Sequence, residues 1–123
     1  MKLIINNSSM QPIYEQIVEQ IKRLIIQEQL KEGDMLPSVR SLAKDLRVSA
    51  LTVKKSYDAL EQEGFVITVH GKGSFVAGTS PNLILEERKK EVEADLETAI
   101  RKGRSCGMSN GELMELFHIV LED

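Results

Sequence analysis

Five cations crowd one short stretch of this 123-residue chain: Arg40, Lys44, Arg47, Lys54 and Lys55, against Asp45 alone. Residues 38–57 therefore carry a net +4 in twenty positions. Arginine presents a planar fork of donors that matches phosphate oxygens, and lysine a compact point charge. A second group follows at His70-Gly71-Lys72-Gly73, where two glycines remove bulk beside one cation and one imidazole. Grouped this way, such residues are suited to recognising anions.

Bond-making chemistry has little to work with elsewhere. His70 and His118 are the only histidines, too few and too far apart in pattern for a zinc site. The acidic run Glu86-Glu87-Glu91-Glu93-Asp95 lacks the oxygen-ligand turn of a calcium loop and reads as a solvated helix face. No G-x-x-x-x-G-K-[ST] occurs, and no nucleophile can be paired with a base. Neither a cofactor, a metal nor a catalytic residue is expected. Cys106 is the single cysteine, which excludes an intrachain disulfide and suits a reducing compartment. Met35, Met108 and Met114 read as flexible packing.

The elements that must position the cations follow from periodicity. Pro12 heads an amphipathic stretch in which Ile13, Ile17, Ile21, Leu24 and Ile25 recur at helical spacing, predicting about five turns that stop near Leu30. Lys31-Glu32-Gly33-Asp34 then has turn chemistry. Ser38 can cap a second helix with Val39, Leu42, Ala43 and Leu46 inside. After the break Arg47-Val48-Ser49, Ser49 can cap a third, from Ala50 to about Glu63, with Val53, Tyr57 and Leu60 inside and Gly64 at its end. Phe65–Val69 and Ser74–Ala77 are strand-like runs around the glycine-flanked turn, hence a β-hairpin.

Two helices joined by a short break, with the cations on their outer side, form a helix-turn-helix. Its second helix enters a major groove by its N-terminal end. Ala50, Leu51, Thr52, Lys54 and Lys55 are then left at the outer surface, and the free N–H groups beside Ser49 can receive a phosphate. Arg40 reaches a phosphate from the preceding helix, while His70, Gly71 and Lys72 lie low enough for an adjacent minor groove.

The whole-chain charge of −3 hides this arrangement. Residues 1–78 hold ten Lys/Arg against nine Asp/Glu, and residues 79–123 six against ten. Gly78-Thr79-Ser80-Pro81-Asn82 is turn-rich and reads as the junction of two units. In the second unit Leu85, Val92, Leu96, Ala99 and Ile100 share a helical face, with Gly103 and Gly107 near its end. Ser109 and Glu112 have capping-box spacing ahead of Leu113, Leu116, Phe117, Val120 and Leu121. Two helices cannot bury two such stripes alone, so a second copy of the chain is the economical partner. A 45-residue tail leaves little room for a ligand cavity of about 300 Å³ inside one chain. No run approaches the ~20 apolar residues of a membrane span, and the start turns polar too early for a signal peptide, so a cytoplasmic protein without membrane contact is expected.

The combined motifs resemble the GntR family of winged helix-turn-helix bacterial regulators, in particular its small YtrA-like branch. The matching residues are Pro12-Ile13-Tyr14-Glu15-Gln16-Ile17, Gly33-Asp34-Met35-Leu36-Pro37-Ser38-Val39-Arg40-Ser41-Leu42-Ala43, Val48-Ser49 with Thr52-Val53, Tyr57 through Gly64, and Gly71 through Val76. The resemblance implies a mainly α fold with a small β-hairpin: a winged helix-turn-helix DNA-binding domain at 10–78 and a short two-helix dimerisation tail at 79–123. Phosphate contacts are implied for Arg40, Ser49, Thr52 and Lys54, base or backbone contacts for Ala50 and Leu51, and a minor-groove approach for His70 and Gly71. Leu85, Val92, Leu96, Ile100, Leu113, Leu116, Phe117 and Val120 would form the dimer seam.

A homodimeric repressor on a near-palindromic, double-stranded operator is therefore expected, with control of transport or envelope-stress genes implied by the branch alone. No residue of the sequence points to a small-molecule effector, and whether one exists is unknown. One departure matters: Ala50 stands where many relatives have arginine or another polar residue, so side-chain reading of guanine from there is lost. Glu28 and Glu32 replace the frequent glycine and proline of the turn. A winged helix can instead serve protein–protein contact; recovery of a consensus from random duplexes separates the two readings.

Overall fold

A computed structural model describes residues 1–78 and 81–123, the side chains of Pro81 and Asn82 excepted. The carbonyl of Pro12 accepts the first helical N–H groups, from Glu15 and Gln16, and α1 runs Ile13–Ile26. Ile17, Val18, Ile21, Ile25 and Ile26 are buried on one side of it. Ser38 caps α2 (Val39–Leu46) by accepting the Ser41 N–H at 3.0 Å, and Ser49 caps α3 (Ala50–Gln62) in the same way through Thr52 at 3.1 Å. Val53, Ser56, Tyr57 and Leu60 form the buried stripe of α3, with Leu42 and Ala43 of α2 against the same core.

Strands β1 (Val66–Val69) and β2 (Gly73–Val76) pair antiparallel, Val66 opposite Val76 and Val69 opposite Gly73. Gly73 thus belongs to the strand, which shortens the expected turn to His70-Gly71-Lys72. The loop before α2 adds a third short rung: Met35 bridges Phe75, and Leu36 N–H donates to the Ser74 carbonyl at 2.9 Å. Phe65, Ile17, Ile21, Leu60, Val53, Val66 and Val76 are sealed at the centre.

The first helix is shorter than the predicted five turns. Its chain turns left-handed at Glu28 (φ 60°), where Glu28 N–H donates to Ile25 and Gln29 N–H to Leu24. These two bonds satisfy the last carbonyls and stop the helix before Leu30. α2 ends the same way at Arg47 (φ 57°), its N–H bonded to Lys44 and that of Val48 to Ala43. Gly64 and Gly107 make the equivalent turn for α3 and α4 without a Cβ in the way.

Two glutamines of α1 hold the N-terminal segment. Gln16, buried, accepts the Asn6 N–H at 2.9 Å and donates to the carbonyls of Asn6 and Gln11. Gln20 exchanges both bonds with the backbone of Ile4. The periodic reading of α1 placed only apolar side chains inside and missed this clasp.

The chain folds as two compact units, Met1–Ser80 and Pro81–Asp123. The second comprises α4 (Pro81–Ser105) and α5 (Asn110–Glu122). The junction expected at 78–82 includes Thr79 and Ser80, which lie outside the described residues. Ser109 and Glu112 close a full capping box at the start of α5. Gly103 is buried where the helices approach, since a Cβ there would meet Leu113 Cδ2 at 2.5 Å.

Candidate nucleic-acid interface

Tyr57 sets the helix pair. Its ring is buried in α3 and its hydroxyl donates to the Pro37 carbonyl at 2.7 Å, immediately ahead of α2. Burial pushes the phenol up to about 12, so it remains a donor at any physiological pH. Ser56, also buried, places its hydroxyl 3.0 Å from the carbonyls of both Tyr14 and Thr52, locking α3 to α1. With the inner face so fixed, the first turns of α3 project outward.

Ala50 and Leu51 are exposed, Leu51 by 78%, a large apolar surface at the tip of a helix whose other leucine, Leu60, is fully buried. The hydroxyls of Ser49 and Thr52 lie 2.8 Å apart, so the cap and the first turn share one polar cluster. Arg40 is exposed in the first turn of α2. Lys54 is exposed and bonded to Asp58 at 2.8 Å. That hydrogen bond, reinforced by the carboxylate's charge, raises the ammonium above the usual lysine value. Lys55 lies over the Tyr14 ring, 3.9 Å from its centroid, a cation–π contact on the α1 side. Tyr14 in turn donates to Glu15 at 3.2 Å, which raises its own phenol.

The structure brings Ser49, Ala50, Leu51, Thr52 and Lys54 together on the first two turns of α3. It sets Lys55 against Tyr14, and His70, Gly71 and Lys72 at the exposed tip of the hairpin. Lys72 N–H closes that tip onto the Val69 carbonyl at 3.0 Å, with Gly71 at φ 79°. Asp58 was not singled out from the sequence, although its i,i+4 spacing to Lys54 is the signal that finds such a pair. Tyr14 and Ser56 carried no such signal, because their partners lie about forty residues away in the chain.

In the second unit Leu85, Val92, Leu96, Ile100, Leu116, Phe117 and Val120 are exposed, whereas Leu113 is half-buried against Gly103. Leu96, Ile100, Leu113, Leu116, Phe117 and Val120 line an open apolar trough of about 660 Å³, with exposed Cys106 at its border. The trough is open to solvent, a groove between α4 and α5 rather than a cavity enclosed within the tail. Among the described residues no group of three His, Cys, Asp or Glu could hold a metal ion, and no helix is long and apolar enough to cross a membrane.

Residues 13–76 match the family described as bacterial regulatory proteins, gntR family. The chain belongs to that family. The HTH-type transcriptional repressor YtrA of Bacillus subtilis (strain 168) is 34% identical over 111 residues, spanning 90% of this chain and 85% of that protein. A crystal structure of a transcriptional antiterminator from Listeria monocytogenes EGD-e superposes with TM-score 0.69 at 33% identity, over 98% of this chain and 90% of that one. YtrA from Sulfolobus acidocaldarius, a GntR-family transcription factor, does so with TM-score 0.60 at 39% identity, over 75% and 97%. Within the GntR family the likeness runs to the YtrA-like branch. The unit Met1–Ser80 is accordingly a winged helix-turn-helix, with the β1–β2 hairpin as wing, and the chain is a sequence-specific DNA-binding regulator of transcription rather than an enzyme.

Proposed function

We propose that the chain is a homodimeric repressor that binds a near-palindromic operator, one α3 N-terminus in each major groove and each wing tip against a flanking minor groove. The exposed first turns of α3 carry this reading: Leu51, 78% exposed, can be satisfied by thymine methyls. Ser49, Thr52 and Lys54 surround it, and Arg40 offers its fork to the backbone. Dimerisation is supported by the apolar faces of α4 and α5, which one copy leaves in water and a second would cover. Repression is the activity of the B. subtilis relative and is carried here by that likeness.

Selection of duplexes by the intact chain from a random pool tests the reading. A two-fold symmetric consensus is expected; no consensus would return the fold to protein–protein contact. On the selected duplex Arg40→Ala should lower affinity about tenfold, and equally on unrelated DNA. Substitutions at Ala50 or Leu51 should change the preferred bases. If R40A leaves affinity intact, the docking is wrong.

A further inference from the structure

Among the described residues two left-handed helix ends are built without glycine, at Glu28 and Arg47. A side chain in that conformation opposes its own Cβ against the backbone, and glycine relieves the conflict. Both positions are exposed, and neither side chain makes a hydrogen bond or ion pair among the described residues. Neither therefore recovers within the fold what the turn costs. The two differ in place. Glu28 follows α1, whereas Arg47 lies in the turn between α2 and α3, two residues before the Ser49 cap.

We propose that Arg47 is a further phosphate-binding residue of the DNA interface, retained at a strained position for its charge. Two residues of chain span at most about 7 Å, so Arg47 stands beside the α3 N-terminus that meets DNA in the reading above, on which this inference rests. An arginine there has no intramolecular competitor, unlike Lys54, which is bonded to Asp58. Its guanidinium is free to exchange water for a phosphate in a charge-assisted fork. The strained backbone fixes where that side chain leaves the turn and keeps the root of the fork constant between free and bound protein.

The inference has an uncommon signature, because stability and binding should move in opposite directions. Arg47→Gly in the intact chain should raise Tm by about 4 °C by relieving the left-handed turn. It should also lower affinity for the duplex selected by the wild-type chain about tenfold at 150 mM salt. The slope of log affinity against log salt should become shallower by about 0.9 per protomer. Arg47→Asn, which tolerates the same conformation without charge, should lower binding equally. Glu28→Gly is the internal control: it should raise Tm similarly and leave affinity and slope unchanged. A wild-type chain that binds no duplex overturns the DNA reading and this inference with it. Wild-type binding that R47G and R47N leave unaltered in affinity and slope overturns the inference alone. So does a fall in Tm that accompanies the loss of binding, since the side chain would then serve the fold.

Discussion

The two units solve opposite problems with the same kinds of residue. In Met1–Ser80 leucine, isoleucine and valine close over one another until Phe65, Ile17, Val53 and Leu60 lose all contact with water. In Pro81–Asp123 they share a face and stay in water; among the described residues of that unit only Gly103 is buried. The first unit has three helices and a hairpin to enclose a centre, the second only two helices, which have an inside line but no inside volume. The contrast teaches that a hydrophobic stripe specifies a partner surface without saying in which chain it lies. Three helices answer the stripe of α1 locally; in the proposed dimer a second copy answers the stripes of α4 and α5.

Equivalent truncations should behave differently on the two sides. Leu60→Ala should cost about 3 kcal/mol, seen in denaturant unfolding as a loss independent of protein concentration. Concentration-dependent loss there would break the contrast. Phe117→Asp should leave the first unit folded by circular dichroism yet turn the protein monomeric in sedimentation, lowering operator affinity about a hundredfold through lost bivalency. A dimer that survives F117D would move the seam elsewhere. Tyr57→Phe should cost about 1 kcal/mol, because the Pro37 carbonyl loses its donor at the mouth of the helix pair. Smallest is Asp58→Asn, which releases the exposed Lys54 and should raise DNA affinity about threefold in fluorescence anisotropy. No change there would mean that Lys54 does not meet the duplex.

What could be read beforehand divides along the same physical line. Helix starts were legible because their determinants are local: Ser38, Ser49 and Ser109 sit within three residues of the N–H groups they accept. Helix faces followed from spacing. The end of α1 was misplaced because Glu28 adopts a backbone that its side chain disfavours, and the neighbouring carbonyls, not its own propensity, decide the matter. Buried Gln16 and Ser56 were not legible, since each polar atom is satisfied by a distant backbone group and local pattern assigns such residues to water. At the candidate interface the exposure of Arg40, Ala50, Leu51 and Lys54 was readable from charge and position. The placement of Lys55 over Tyr14 was not, for it depends on how α1 packs across α3.

The glutamine clasp sets where this protein can be cut. Family similarity begins at Ile13, and a fragment trimmed to 13–76 would look like the minimal DNA reader. It would lack Asn6 and Gln11, however, and with them the three hydrogen bonds by which Gln16 holds the N-terminal segment. Each such bond is worth about 1 kcal/mol net, a large share of what a unit of this size has to lose. Residues before the family boundary are thus part of the fold of the first unit, and any excised reader that is to keep its full stability must carry them.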